Sequence, residues 1–287
     1  MDTVYKYCGA NGLKILRDLE LKVTPPNQFN DPFEFTPKMG YSDPVGYAKR
    51  NLQQESVLLK WLYERKRAEG KFVGSFQEFQ KQASAYQTEI IEAFVNVLPL
   101  GAAQAEKDFL DEVSKRFGLL CMSQKRDSIL MWGHYCDKPL GLVIGFDKSA
   151  AVFQQEKGLR LVNYVKERVA FDACWLAGSP ELLKYEEDVI LSKSDAWLYE
   201  EEVRQFFTLS SPSLTKRPLE DKTTGYFLPF PAEAIVSVTL GPRCSPELEK
   251  DVREILLKPN FSKVRLDCAV LSRNGFIIEF EPVKFTL

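Results

Sequence analysis

The hydrophobic pattern at the start of the chain predicts a strand, a helix and a second strand. Aromatic and β-branched residues mark the first strand at residues 3–8, and leucines at helical spacing mark a helix over 11–19. The second strand, over 20–24, must stop at Pro25-Pro26, because proline cannot donate to a sheet ladder. A turn-rich segment at 27–34 follows.

Apolar residues at three- to four-residue spacing then predict a long helical region at 43–117. Asp43-Pro44 is a helix start, in which a capping side chain precedes a residue of fixed φ. The segment Gly70–Gly74 breaks the apolar pattern, and Pro99–Gly101 is expected to end the second helical stripe.

The second half of the chain mixes strands with helices. Strands are predicted at 117–122, 140–146, 159–165, 202–209, 234–240, 264–270 and 275–281. Helices are predicted at 127–136, 179–191 and 246–257, the last two opening on Ser-Pro-Glu. Because the elements do not alternate strictly, a doubly wound parallel sheet is disfavoured. We therefore predict one α+β domain over 1–287, with a mixed, mainly antiparallel sheet built from both ends of the chain and a helical insertion (a subdomain) at 43–117.

Composition narrows the functional classes. The chain has 287 residues and a formal net charge of −2, so no general positive field attracts nucleic acid. A local basic groove that binds nucleic acid is still allowed. We see no secretion signal and no apolar run that would span a membrane, which indicates a cytoplasmic protein without a membrane partner. Six dispersed cysteines are expected to be reduced, and a single histidine argues against a zinc site, so no metal is predicted.

The segment from Phe29 to Glu34 has a structural and a functional interpretation. Asp31 is a good helix N-cap, Pro32 suits the first helical position, and Glu34 stands where a capping-box acid would. Alternatively, the segment is a loop that holds Asn30 and Asp31 against a ligand, since such side chains offer short, locally anchored polar groups.

The single histidine, His134, lies between aromatic residues in the predicted helix at 127–136. A lone histidine beside aromatic residues is more often a packed core residue than a catalyst. Its place between Trp132 and Tyr135, after a buried strand, equally fits the wall of a site.

A late acidic run forms the third candidate segment. Glu200, Glu202 and Arg204 would share one face of a strand that begins by residue 200. Neighbouring carboxylates raise the pKa of any that is buried, and an arginine can neutralise one of them through a bidentate pair. The alternative is an exposed strand end, or a Glu202–Arg204 pair that only fixes register. Which of Glu200, Glu201 and Glu202 faces inward stays open.

Familiar catalytic motifs are missing from the sequence. It has no Gly-x-Gly-x-x-Gly after a strand, no Walker loop and no Gly-x-Ser-x-Gly elbow. A hydrolase triad or dyad would depend on His134, whose neighbours Ser128 and Cys136 are too close in sequence to be placed.

Several sequence blocks occur in order between residues 4 and 241. They include Tyr5-Lys6-Tyr7, Phe29-Asn30-Asp31-Pro32-Phe33-Glu34, Met131-Trp132-Gly133-His134-Tyr135, Val162-Asn163-Tyr164, Lys193 and Trp197-Leu198-Tyr199-Glu200-Glu201-Glu202-Val203-Arg204. Together they resemble a widespread prokaryotic family of uncharacterised domains that is sometimes found in phage-defence settings. The family implies no activity.

A tyrosine-containing first strand, a middle aromatic and histidine block and a late Glu-x-Glu strand also resemble the ADP-ribosyltransferase superfamily, which has a small split sheet. That resemblance implies NAD as substrate and a carboxylate that stabilises an oxocarbenium-like state at the ribose. It assigns this role to Glu202, with Glu200 as the first acid of the pair. It further implies that His134 binds ribose and that Tyr135 or Trp132 stacks on nicotinamide. The other candidates for ligand contact are Tyr7, Asn30, Asp31, Glu34, Trp197 and Arg204. The superfamily usually has Arg or His where this chain has Tyr5-Lys6-Tyr7.

Two hypotheses follow for the function. The first is an ADP-ribosyltransferase-like enzyme with a toxin or defence role. The second is a non-enzymatic module that binds a nucleotide, an acidic ligand or a partner through Arg204 and Lys193. Both predict that residues 29–34, 131–135 and 197–204 converge in space.

Overall fold

The computed structural model describes residues 2–9, 11–51, 56–82, 87–138, 140–174 and 187–283. The chain divides into two compact units. The first unit comprises Met1–Phe35, Asp111–Glu167 and Leu191–Leu287, and the second comprises Thr36–Leu110 and Arg168–Ile190. The single domain over 1–287 stays a prediction.

The described strands and helices follow the chain in this order. The strands are β1 (Thr3–Cys8), β2 (Glu20–Val23), β3 (Lys38–Gly40), β4 (Phe117–Ser123), β5 (Leu142–Asp147), β6 (Arg160–Leu161), β7 (Asn163–Val165), β8 (Ala170–Asp172), β9 (Ser192–Ser194), β10 (Glu202–Thr208), β11 (Thr215–Pro218), β12 (Thr224–Pro229), β13 (Ile235–Leu240), β14 (Arg265–Leu271) and β15 (Ile278–Pro282). The helices are α1 (Gly12–Asp18), α2 (Pro44–Asn51), α3 (Ser56–Ala68), α4 (Phe76–Lys81), α5 (Gln87–Arg116), α6 (Ile129–Tyr135) and α7 (Pro246–Leu256).

The first unit is organised by an eight-stranded sheet with the order β15-β14-β13-β5-β1-β4-β10-β6. Only β13 and β14 pair in parallel, and the other neighbours in this sheet are antiparallel. Strands from both ends of the chain therefore meet in one mixed sheet, which confirms the predicted α+β class.

The sheet is split between β1 and β4. All six residues of β1 pair with β5. Against β4, by contrast, β1 pairs only at Tyr5↔Ser123. On its other side, β4 is paired with β10 over its whole length. The missing ladder leaves room between two central strands.

Each face of this sheet packs against different elements. One face buries Ile144 and Val238 together with Leu16 of α1 and Val252 of α7. The other face buries Val143 against residues of α6, including Met131. The alternation along β5 therefore supplies both cores, as the two-residue period of a strand requires.

The second unit holds α2, α3 and α4, most of α5, and the short β3–β8 pair. The start of α2 is the one predicted, since the Asp43 carboxylate accepts the Gly46 backbone N–H at 2.8 Å. The predicted break between α3 and α4 is also present, and both Gly70 and Gly74 adopt positive φ angles.

Pro99 and Gly101 do not end their helix, contrary to the prediction. Helix α5 runs from Gln87 to Arg116 with Pro99 inside it. Proline removes one backbone hydrogen bond from a helix interior at a cost of about 3 kcal/mol. Apolar residues of this helix, including Ile90 and Leu98, are buried, so packing offsets that cost.

Other deviations concern short elements. The strand predicted at 159–165 is two strands, β6 and β7. Strands β3, β8, β9, β11 and β12 were not predicted, and β11 is exposed along its length, so it has no hydrophobic alternation. The helix predicted at 179–191 lies mostly outside the described residues, whereas the one at 246–257 is confirmed as α7. None of the described helices is long and apolar enough to cross a membrane.

Candidate functional site

A cavity of about 410 Å³ lies along the gap between β1 and β4. Both strands line it, together with the loop after β2, helix α6 and the segment before β10. The lining residues that carry polar or aromatic groups include Tyr5, Lys6, Tyr7, Phe29, Asn30, Ser123, His134, Tyr135, Lys193, Glu200 and Glu202. Its volume falls in the range of about 300–1,000 Å³ typical of small-molecule sites.

Beside the cavity lies a cluster of five buried charged groups, which we call the ionic cluster: Glu34, Lys193, Glu200, Glu202 and Arg204. Arg204 holds the Glu202 carboxylate in a bidentate pair, with Nε donating to Oε1 and Nη2 to Oε2, both at 2.9 Å. Lys193 Nζ donates to Oε2 of Glu200 at 2.5 Å and to Oε2 of Glu202 at 3.1 Å. Arg204 also pairs with Glu34. Such a cluster is tolerated in a core only when nearly every charge has a partner.

The backbone around Glu201 explains which acids face inward. A 3-10 helix, Asp195–Glu200, ends at Glu201, which adopts a left-handed conformation with φ of 40°. That turn directs Glu200 and Glu202 into the ionic cluster and leaves Glu201 outside, where it pairs with Lys125.

The pKa values of Glu202 and Glu34 are shifted in opposite directions. Burial by itself raises the pKa of Glu202, but the charges of Arg204 and Lys193 outweigh it and lower that pKa to about 2. For Glu34, burial prevails over the same two cations, and the pKa lies above its usual value. The Lys193 pKa is raised, because the three carboxylates outweigh the effect of burial.

Replacing Glu202 by glutamine is expected to lower the free energy of unfolding by about 3 kcal/mol at pH 7, since the native carboxylate titrates near 2 rather than its usual 4.5. This stabilisation is present above pH 4.5 and is lost as the pH falls towards 2. The difference between wild type and variant in urea unfolding should therefore stay constant from pH 7 to pH 5 and shrink as the pH falls from about 4.5 towards 2.

Glu34→Gln is the matched control, with the opposite sign. Because the Glu34 pKa is raised, the native state resists its ionisation, and stability is lost as the pH rises through that pKa. The Glu34→Gln variant should therefore gain stability relative to wild type with rising pH. If the stability difference from wild type does not change with pH for either variant, the pKa shifts of Glu202 and Glu34 do not contribute to stability in this way.

The three predicted segments lie together around the cavity. Tyr135 Oη donates to Glu200 Oε1 at 2.7 Å, which joins the histidine block to the acidic run. Arg204 and Glu34 join the acidic run to the loop after β2. Of the candidate site residues, the cavity is lined by Tyr7, Asn30, His134, Tyr135, Glu200 and Glu202. Their roles towards a ligand stay predictions.

The aromatic candidates do not all reach the cavity. Trp132 is 1% exposed, packs edge-to-face on Tyr7 with ring centroids 5.7 Å apart, and donates its Nε1 to the Arg126 carbonyl at 2.8 Å. Trp132 is therefore a core residue, whereas Tyr135 lines the cavity. Trp197 lies over the Lys193 ammonium at 4.9 Å and is not among the lining residues.

His134 is exposed at the cavity and is not a packed core residue. Its ring lies 6.1 Å from that of Tyr199 and 6.4 Å from that of Trp197, measured between centroids. The usual preference of a lone histidine for a packed environment therefore does not hold here, because α6 presents this residue to the cavity.

Asp31 does not cap a helix. Turn residues follow it, and its Oδ1 accepts the Phe33 backbone N–H at 2.9 Å, an Asx-type turn. Phe35 has a φ of 59°, which rules out a helical continuation. Oδ2 of Asp31 and Oε2 of Glu34 are buried without a hydrogen-bond partner. The segment thus supplies Glu34 to the ionic cluster and Asn30 to the cavity, and Asp31 does not line the cavity. Arg204, on β10, does not line it either.

Comparison with known proteins connects this region to one family. Residues 131–205 match the model of a family described as "Protein of unknown function (DUF2971)". The match covers residues 131–135 of α6 and four of the five members of the ionic cluster, and it agrees with the predicted resemblance to an uncharacterised family. No curated protein and no solved structure matches the chain.

Several site residues were not recognised from the sequence. Ser123 Oγ donates to the Glu200 carbonyl at 2.6 Å, and the Glu202 backbone N–H donates to Tyr164 Oη at 2.8 Å. Lys6 donates to the Cys121 carbonyl at 2.8 Å from within the cavity. Single serine, tyrosine and lysine residues form no sequence motif, so only their contacts in the structure identify them as part of the site. Within the described part of the chain, no group of three His, Cys, Asp or Glu side chains is arranged to hold a metal ion.

Proposed function

We propose that the cavity binds a nucleotide, with NAD as the first candidate, and that the protein is an ADP-ribosyltransferase-like enzyme whose carboxylate is Glu200. The observation that carries this proposal is the position of Glu200. It lines the cavity between the split strands, and Tyr135 and Lys193 hold its two oxygens. A fixed carboxylate at the ribose is what an oxocarbenium-like transition state requires.

Glu200 suits this role better than Glu202. Both oxygens of Glu202 accept from Arg204, and one of them also accepts from Lys193. Each oxygen of Glu200 accepts one hydrogen bond from a side chain, and a carboxylate has about four lone-pair positions. Glu200 therefore keeps the capacity to accept from a ribose hydroxyl.

The cavity walls suit the rest of such a ligand. Tyr135 is half-buried and His134 is exposed, and both belong to the wall that α6 contributes. Aromatic faces at this position can stack on a planar ring such as nicotinamide. Phe29 and Tyr5 contribute further aromatic surface from the opposite elements.

A non-enzymatic binding module is the second candidate, and the charge balance of the ionic cluster favours it. Lys193 and Arg204 already pair with Glu200 and Glu202. A carboxylate in an ion pair stabilises a developing positive charge less than an unpaired one does. The same cavity would then hold a nucleotide without cleaving it.

Thermal unfolding of the wild type with NAD, together with an assay for released nicotinamide, tests both candidates. At 100 times the dissociation constant, NAD is expected to stabilise the protein by about 2.7 kcal/mol. Stabilisation by NAD together with release of nicotinamide supports the ADP-ribosyltransferase-like enzyme. The molecule that accepts the ADP-ribose would then test a toxin or defence role. Stabilisation without turnover supports the binding module. If NAD gives neither stabilisation nor turnover, and nucleotides that lack nicotinamide do not stabilise the protein either, the proposal that the cavity binds a nucleotide is wrong.

A further inference from the structure

A second cavity, of about 690 Å³, lies beside the hairpin that joins β14 and β15. We call it the hairpin cavity. Helix α6 lines it with Ile129, Trp132 and Gly133, the loop after β13 with Pro242, and the hairpin with residues 271–278. None of these residues lines the cavity between β1 and β4, so the hairpin cavity is a separate place in the fold.

Most of the wall of the hairpin cavity is apolar, and much of it is exposed. Phe276 is 98% exposed, and Ile129, Leu271 and Ile277 are exposed as well. Single exposed apolar residues are ordinary, but several that gather at one cavity mark a binding surface. Such walls favour a ligand with an apolar body, because its burial removes hydrocarbon surface from water.

Gly133 keeps the hairpin cavity open on the side of α6. A β-carbon added at this position would meet no atom within 4 Å, and Gly133 is not among the glycines with a positive φ. Neither the backbone nor the packing therefore requires glycine here, although glycine is less stable than alanine inside a helix. A side chain at this position is expected to reduce the space available to a ligand.

The polar part of the wall carries one positive charge. Among the described residues that line the hairpin cavity, Arg273 is the only charged one, and it stands between Ser272 and Asn274 in the hairpin turn. None of the ion pairs of the described residues includes Arg273. Its guanidinium offers several N–H donors in a planar fork, the geometry that matches a carboxylate.

The acids nearest to Arg273 in the chain do not neutralise it. Asp267 pairs with two other arginines. Glu279 follows Ile278 in β15, so its side chain lies on the opposite face of the sheet from the cavity-lining Ile278. The hairpin cavity therefore combines apolar walls with one cation that has no acid beside it, which complements an apolar molecule with an anionic end.

We propose that the hairpin cavity binds a small amphiphilic carboxylate, an alkyl chain with one terminal carboxylate, as in a medium-chain fatty acid. The chain lies against α6 and the hairpin, and the carboxylate pairs with Arg273. This inference does not rest on the nucleotide proposal, because the described residues that line the two cavities do not overlap.

Isothermal titration of the wild type with simple alkyl compounds tests the ligand class. From hexanoate to decanoate, the affinity should rise by about fourfold per methylene, the factor that burial of one methylene gives. At a fixed length, octanoate should bind about 3- to 10-fold more tightly than octanol, because Arg273 is exposed and its pairing is partly screened. Octylammonium should bind more weakly than octanol, since its charge is repelled.

Gly133→Leu tests the place of binding, because the added side chain fills the cavity without a clash and leucine favours a helix. The octanoate affinity should fall by about tenfold or more. Gly101→Leu is the matched control, since Gly101 lies in α5 and a β-carbon there also meets no atom within 4 Å. Its octanoate affinity should stay within about twofold of wild type. Gly133→Ala, with a smaller loss, replaces Gly133→Leu if that variant unfolds.

Arg273→Gln tests the recognition of the carboxylate. The affinity for octanoate should fall to about that for octanol, while the affinity for octanol stays unchanged. Arg17→Gln makes the same change at an exposed arginine of α1 and should keep the preference for octanoate.

Three results would overturn the proposal. The first is a wild type that does not bind decanoate, or binding that Gly133→Leu leaves unchanged. The second is equal affinity for octanoate and octanol, since Arg273 would then not recognise an anion. The third is a dimer in size-exclusion chromatography that Phe276→Ser abolishes, in a protein that does not bind decanoate, because the hairpin would then contact a second copy of the chain.

Discussion

Arg204→Met is expected to lower the free energy of unfolding by about 3–5 kcal/mol, because removing one partner of a buried ion pair leaves its charges uncompensated. The Arg204 side chain is 0% exposed and pairs with both Glu202 and Glu34. Methionine keeps much of the side-chain volume, so the loss reports the charge rather than a cavity. Urea unfolding followed by circular dichroism at pH 7 measures it.

Arg17→Met is the matched control on the surface of the same unit. Arg17 pairs with Asp251 at 2.8 Å, but the two side chains are 52% and 39% exposed. Solvent screens such a pair, and its loss should cost about 0–1 kcal/mol. If both variants lose the same small amount, the ionic cluster does not hold this part of the fold together.

Patterned segments of the chain were predictable because one physical signal dominates each of them. Ser245 and Pro246 open α7 where the sequence indicates, since the Ser245 side chain accepts the Leu248 backbone N–H at 3.1 Å. The buried runs of β4 and β5 are continuous apolar stretches, which a strand between two packed faces requires. The prediction that the helix ends at Pro99 was wrong, because packing of the apolar residues around it outweighs the cost of the lost backbone hydrogen bond.

The site was predictable as segments but not as contacts. The acidic run near Glu200 and the histidine block are visible in the sequence, and both lie at the cavity. The direction of each acid depends on the left-handed turn at Glu201, which no residue type there signals. Aromatic residues surround both Trp132 and His134 in the sequence, so the pattern does not show which of the two faces the core. The orientation of α6 about its axis decides it, with Trp132 buried and His134 exposed.

Lys193 shows why the chemistry of the ionic cluster needed the structure. The sequence indicates it as a residue that could bind an acidic ligand, yet its ammonium contacts three acids of the protein itself, Glu200, Glu202 and Glu34. Strand β9 places it there by pairing with β7, and both strands are too short to give a periodic signal. Short elements can therefore position the charges of a site without a hydrophobic pattern that reveals them.

Glu200→Gln is expected to reduce nicotinamide release from NAD by about 100- to 1,000-fold, the usual effect of removing one electrostatic stabiliser of a transition state. The KM for NAD should change little, because glutamine keeps an oxygen that accepts from Tyr135 or Lys193. Steady-state release measured by chromatography over a range of NAD concentrations gives both constants.

Glu201→Gln and Glu202→Gln make this experiment specific. Glu201 is the adjacent acid, lies outside the ionic cluster and pairs with Lys125, so its replacement should leave turnover within about twofold. Glu202→Gln should act mainly on stability, since Arg204 occupies its carboxylate. If Glu202→Gln abolished release in a folded protein while Glu200→Gln kept it, the roles of the two acids would be reversed. If every variant matched the wild type, the reaction would not use this pair of acids, because a stabilising carboxylate cannot be neutralised without cost to the transition state.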